Sequence, residues 1–182
     1  MTFSMYRVLI PALAVLCAAG PAAADTRFLA YDASDRVTTA LTRGVTLEVE
    51  RGLFGAVAVR RIISTTQRGS ARIDRGGPNE ARTAIPEDAN ADNARQGQVY
   101  TVDGAGDGRG LSRALCPGAD ATYLVIGRVR AVRPLTMHAV GRWSDGKFRH
   151  CVQLSYDYRG EWALPPAGSM SIDGDYLPQR PD

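Results

Sequence analysis

The chain has 182 residues, 45% hydrophobic and 23% charged, with a formal net charge of +3. That length suffices for one domain with its own core. The near balance of charge, without a block of like sign, gives no case for a nucleic-acid partner.

Residues 1–24 have the layout of a secretory signal peptide. Arg7 supplies the positive charge, Val8 to Gly20 is apolar or small except for Pro11, and Ala22-Ala23-Ala24 offers small residues before a cleavage point. The apolar run is shorter than the roughly 20 residues that span a bilayer, which disfavours a retained anchor. A lipoprotein signal ending at Cys17 is disfavoured because Leu16 precedes it, where a small residue is wanted. The expected organisation is therefore a signal peptide over 1–24, a single exported domain over 25–164, and a loose tail over 165–182 rich in Pro, Gly and Ser. The expected location is the periplasm or the medium.

Cys116 and Cys151 remain after cleavage, and an even pair in an oxidising compartment predicts a disulfide. Their spacing is unlike that of a catalytic redox pair.

In chain order, Asp32-Ala-Ser-Asp35 followed by Val37, Ala40 and Leu41 predicts a short helix, with Asp32 as cap and Gly44 as stop. The β-branched run Val37-Thr38-Thr39 argues for a strand instead. Val45–Glu50 and Ala56–Thr65 predict a hairpin around Arg51–Gly55, and Ser70–Asp74 a short third strand. Gly76–Gly97, with two prolines and one large aliphatic residue, predicts a long exposed loop. Gln98–Val102 predicts a strand, Asp103–Gly110 a glycine-rich turn, and Leu111–Leu115 a helical turn.

Thr122–Val132, Leu135–Trp143 and Lys147–Tyr158 predict three strands, the last two joined through Asp145-Gly146. A two-residue turn there sets Trp143 against Phe148, Gly141 against His150, Ala139 against Val152, Met137 against Leu154 and Leu135 against Tyr156. The opposite face then holds Arg142 with Arg149, Val140 with Cys151, and His138 with Gln153. In that register the two histidines lie on opposite faces and do not converge, and a Cys116–Cys151 bond straps the Leu111–Leu115 segment over the second face.

The sequence contains no His-Glu-x-x-His, Gly-x-Ser-x-Gly or P-loop pattern. Asp88, Asn90 and Asp92 alternate as in some calcium loops, but Asn93 and Val99 stand where the glycine and the closing glutamate belong. Asp103 and Asp107 alone do not make a tight calcium site. No metal site and no cofactor is expected.

Four residues are the candidate ligand-binding positions. Arg142 and Arg149, facing each other, would attract an anionic partner, and Arg128, Arg130 and Arg133 could extend that patch. Tyr158 and Trp162, flanking Arg159-Gly160, could form an aromatic platform. The expected fold class is α+β, mainly β: an antiparallel sheet or small sandwich with one or two short covering helices. A membrane-spanning barrel is disfavoured, because the strands are too few and too often interrupted. The function expected is a non-enzymatic binding or accessory protein of the cell envelope, its partner an envelope protein or an anionic envelope component. The alternatives are a small hydrolase whose site is assembled from dispersed residues, and an inhibitor or chaperone-like partner of another envelope protein.

Overall fold

The computed structural model describes residues 25–52, 57–89 and 95–163. The signal-like segment, the tip of the first hairpin and the tail from Pro165 lie outside the described residues. Eight strands run in order: β1 (Asp25–Ala33), β2 (Gly44–Arg51), β3 (Val57–Ser64), β4 (Ser70–Arg75), β5 (Gln98–Val102), β6 (Ala121–Ile126), β7 (Leu135–Arg142) and β8 (Phe148–Ala163). Each pairs antiparallel with its neighbour in sequence, and β8 pairs with β1. The result is a closed barrel, not the open sheet or sandwich expected from the sequence.

Two features close the ring. Strand β1 has no clean alternation, because Phe28 and Ala30 point outward beside inward Leu29 and Tyr31, so its pattern does not announce a strand. Strand β8 is 16 residues long and serves two neighbours. Its first half, up to Tyr156, pairs with β7, and its second half, from Tyr156 to Ala163, pairs with β1.

Inward side chains from every strand form one core, including Leu29, Leu47, Ile62, Ile73, Leu124, Met137 and Leu154. An eight-stranded barrel is just wide enough to be filled in this way. Each fully buried aliphatic side chain contributes roughly 1.5–3 kcal/mol. The outer wall carries ion pairs such as Arg60–Glu50 at 2.7 Å and Arg61–Glu48 at 3.4 Å. An apolar interior with a charged exterior is the reverse of a lipid-spanning barrel. Among the described residues, no helix is long and apolar enough to cross a membrane.

One end of the barrel is plugged by two helices. In α1 (Arg36–Leu41) the cap is Asp35, one turn later than Asp32, which stays in β1 opposite Gly44. The Asp35 carboxylate accepts from the Thr38 backbone N–H at 2.8 Å and from the Thr38 hydroxyl at 2.6 Å. The threonines that argue locally for a strand are held in the helix by tertiary bonds. Thr38 Oγ1 accepts from the Ser155 N–H at 3.0 Å, and Thr42 Oγ1 lies 3.0 Å from the buried Tyr156 hydroxyl.

The second plug, α3 (Gly108–Leu115), starts three residues earlier than expected and drives Leu111 and Leu115 into the barrel core. A Cβ at Gly108 would collide with the Asp103 carbonyl oxygen, so only glycine fits where the helix leaves its turn. Gly108→Ala is therefore expected to cost about 1–3 kcal/mol, read as a lower urea midpoint.

The segment expected to be a long exposed loop instead carries α2 (Glu80–Thr83), folded back on the outer wall. Ala81 and Ile85 are buried there against Val99, Tyr123, Val125 and Val140. Those wall residues face outward, so the segment supplies the cover that their apolar surface requires.

The β7–β8 hairpin departs from its predicted register twice. Trp143 N–H donates to the Lys147 carbonyl at 3.1 Å and Gly146 N–H to the Trp143 carbonyl at 2.8 Å. The turn therefore has three residues, Ser144-Asp145-Gly146, with Gly146 at φ +75°. This moves the near half by one residue, so that Arg142 faces Phe148, Gly141 faces Arg149 and Val140 faces His150. A bulge at Cys151 absorbs the offset, and from Ala139–Val152 to Leu135–Tyr156 the pairing is the predicted one.

Candidate functional site

The bulge has direct consequences for the candidate side chains. It places His150 on the same face as His138, correcting the expectation that the histidines are separated. His138 Nδ1 lies 3.1 Å from His150 Nε2, and the rings are 5.2 Å apart. His138 is completely buried, and its Nε2 has no hydrogen-bond partner among the described residues. Burial, with His150 beside it, pushes the His138 imidazole down to about 4. Burial also lowers His150, against the opposing pull of the Val152 backbone and the Asp88 carboxylate. Both rings are therefore neutral near pH 7. Each is engaged with the other, and neither hydrogen-bonds a serine or a carboxylate among the described residues, so the pair does not form a nucleophile-activating array.

The same bulge governs the disulfide. Cys116 and Cys151 are bonded, with Cα atoms 5.4 Å apart. Cys151 packs against the main core rather than standing on the second face, and the bond fastens the end of α3 to the plugged end of the barrel.

The predicted Arg142–Arg149 pair does not form, because the three-residue turn shifts the two arginines out of register. Arg149 instead bonds the Asp145 carboxylate and stacks its guanidinium over the Trp143 ring, 5.0 Å from the centroid. Tyr158 and Trp162 are separated by the barrel wall. Tyr158 is half-buried, edge-on to Tyr31 with centroids 5.8 Å apart, whereas Trp162 is exposed and stacks on Phe28 at 6.0 Å.

At the other end of the barrel no helix plugs the mouth among the described residues. Strand β6 stops at Ile126, short of the expected Val132. Continued inward alternation from Leu124 and Ile126 would aim Arg128 and Arg130 into the apolar interior, and burying unpaired charge there is prohibitive. The chain leaves the ladder at Gly127, and residues 127–134 arch across the mouth. Val129 packs onto the core, and the Tyr31 hydroxyl donates to the Arg130 carbonyl at 3.4 Å. Burial, with Tyr158 and Glu161 nearby, pushes the Tyr31 phenol up to about 12, so it remains a donor.

A cleft of about 930 Å³ opens at this mouth. Val57, Tyr100, Ile126 and Val129 form its apolar part, while Arg128, Arg130 and Arg133 stand at its rim. All three arginines are exposed, and none pairs with a carboxylate among the described residues. Among the described residues, no carboxylate lines the cleft. It enters beside a short seam, because β3 and β4 share only three residue pairs, Arg61–Arg72 to Ile63–Ser70. The Tyr100 phenol reaches across to the Val59 backbone near that seam. Burial raises the Tyr100 phenol above its ordinary value, against the lowering effects of Val59, Arg75 and Arg60.

The mouth is thus the chemically distinctive site, and the sequence held its signal. Arg128, Arg130 and Arg133 are legible as a basic cluster, but their assignment to a strand beside Arg142 and Arg149 set them at the wrong end. A smaller hollow, about 350 Å³, is bordered by Arg61, Arg72, Asp103 and Asp107. Asp103 there accepts from the Ala105 N–H, which closes its own turn. Asp88 is exposed on the outer wall, while Asn90, Asp92 and Asn93 of the calcium-like spacing lie outside the described residues. Among the described residues, no three His, Cys, Asp or Glu side chains group around a possible metal. Compared with known proteins, the chain matches no family, no curated sequence and no solved structure.

Proposed function

We propose that this is a non-enzymatic binding protein of the cell envelope that takes a small amphiphilic anion into the open end of its barrel. One observation carries the reading: among the described residues, the cleft at the mouth combines an apolar floor with three arginines and no carboxylate. Barrel mouths are common sites for small ligands, and a few polar groups over an apolar lining fix a ligand's orientation. Arginine suits a carboxylate, sulfonate or phosphate head, because its fork can donate two parallel bonds. The signal-like N-terminus supports an exported location, and the Cys116–Cys151 bond is consistent with an oxidising compartment. A hydrolase is the weaker reading, because the two histidines bond each other.

The test is a fluorescence titration with a dansyl-labelled fatty acid and its neutral alcohol analogue. The acid is expected to saturate at one site and the alcohol to bind more weakly. Replacing Arg128, Arg130 and Arg133 together with serine is expected to weaken the acid roughly tenfold or more. Equal binding of acid and alcohol, or an unaltered triple variant, would count against the reading.

A further inference from the structure

Val132 is 78% exposed, more than any other large hydrophobic residue among those described. It also has φ +62°. A β-branched residue in the left-handed region is a genuine outlier, since its Cβ crowds the following carbonyl. Glycine or asparagine would occupy that position with less strain and with no apolar side chain in water. Folding of the barrel therefore gives no reason for valine here. The residue is held on the loop that arches over the mouth, between exposed Arg130 and Arg133, with Arg128 on the same loop.

From this we infer that the loop over residues 127–134 docks the open end of the barrel on an anionic bilayer. Val132 enters the boundary between headgroups and acyl chains, and Arg128, Arg130 and Arg133 contact the lipid phosphates. Charge complementarity selects this occupant: the loop offers three cations without a carboxylate partner among the described residues and one apolar tip, and interfacial binding depends on that combination. The exposed Trp162 lies at the same end of the barrel, as a residue suited to a membrane interface. Docked in this way, the cleft opens toward the surface that contains amphiphilic anions.

The proposal rests on the open end being the working end, but its test separates it from the cleft reading, because Val132 does not line the cleft. The experiment is co-sedimentation of the full exported chain with vesicles of phosphatidylglycerol and phosphatidylcholine, compared with phosphatidylcholine alone. Wild type is expected to bind the mixed vesicles, to lose binding as salt is raised, and to leave neutral vesicles unbound. Val132→Asn is expected to weaken partition roughly five- to tenfold. It is also expected to raise Tm by about 3 °C as strain is relieved, with dansyl fatty acid binding unchanged. Equal partition of wild type onto both vesicles, or wild-type partition by Val132→Asn, overturns the proposal. So does a dimer in analytical ultracentrifugation that Val132→Asn abolishes while vesicles stay unbound, since the loop would then face a second copy.

Discussion

Breaking the Cys116–Cys151 bond is expected to lower the unfolding free energy by about 4 kcal/mol. The two cysteines are 35 residues apart. Closing a loop of that length in the unfolded chain removes conformational freedom that the folded state never had, and the chain-entropy relation converts this to the figure above. The folded barrel is expected to lose little else, because Leu111 and Leu115 also anchor α3 by their own burial in the core. A change of this size is a large part of the 5–15 kcal/mol that holds a domain together. The measurement is urea unfolding of the wild type and of the Cys116→Ala, Cys151→Ala double variant. The variant is expected to show a markedly lower midpoint, with native circular dichroism before the transition. An unchanged midpoint would show that the unfolded chain is already restrained in this region by other means.

Acid is expected to destabilise the protein well above the pH at which carboxylates protonate. The imidazole of His138 is held at about 4 in the fold, below its ordinary 6.5, because burial and the neighbouring His150 disfavour its charge. Between these values the unfolded chain binds a proton that the folded chain refuses. Stability is therefore full above pH 6.5, falls as pH drops toward 4, and levels below that as His138 takes its proton in the fold. For a shift of this size the loss is of order 3 kcal/mol. His150 is displaced in the same direction and adds to the slope. When both rings are charged, two donors face each other across 3.1 Å and their hydrogen bond is gone. His138→Leu should flatten the slope between pH 4 and 6.5 while leaving stability at pH 7 close to wild type, since it also removes an unpartnered buried nitrogen. The Asp35 carboxyl contributes to a separate, lower window. Burial pushes it up, but hydrogen bonds from Thr38, Val37 and Ser155 outweigh this and hold it below its ordinary value, so its contribution is lost only at still lower pH. Thermal melts of wild type and His138→Leu across this range decide the matter, and a wild-type slope in the variant would refute it.

Strand β2, with regular inward alternation, and β3, with its β-branched residues Val57, Val59, Ile62 and Ile63, were legible in the sequence, as was the cysteine pair, although a bulge at Arg60 interrupts the alternation of β3. The closed ring was not, for reasons visible in particular residues. Strand β1 hides because Phe28 and Ala30 face outward, Phe28 against Trp162 and Ala30 against neighbouring strands, so apolar residues occupy both faces. The helix α2 hides because its apolar contribution is small, Ala81 and Ile85, and its partner surface is assembled from three strands. The far half of the β7–β8 register was correct although the turn was not, because the additional turn residue and the Cys151 bulge cancel. That cancellation left the near half misread, and the near half holds both His150 and Arg149. The alternation of Arg128, Val129, Arg130 and Ala131 reads as a strand until the strand is assigned an inside, at which point charge forbids it.

The dual role of β8 also has a kinetic side. Seven of the eight pairings join strands that follow one another in the chain, and they can zip up locally. The eighth joins the first strand to the last and carries the largest loop-closure cost, which makes it the natural late step. Before it forms, the strands make a curled ribbon with two long unpaired margins, β1 on one side and the second half of β8 on the other. Such margins are templates for pairing with another chain. Closing the ring pairs these two margins with each other, so the largest aggregation hazard of this protein belongs to its assembly and falls away with the last seam.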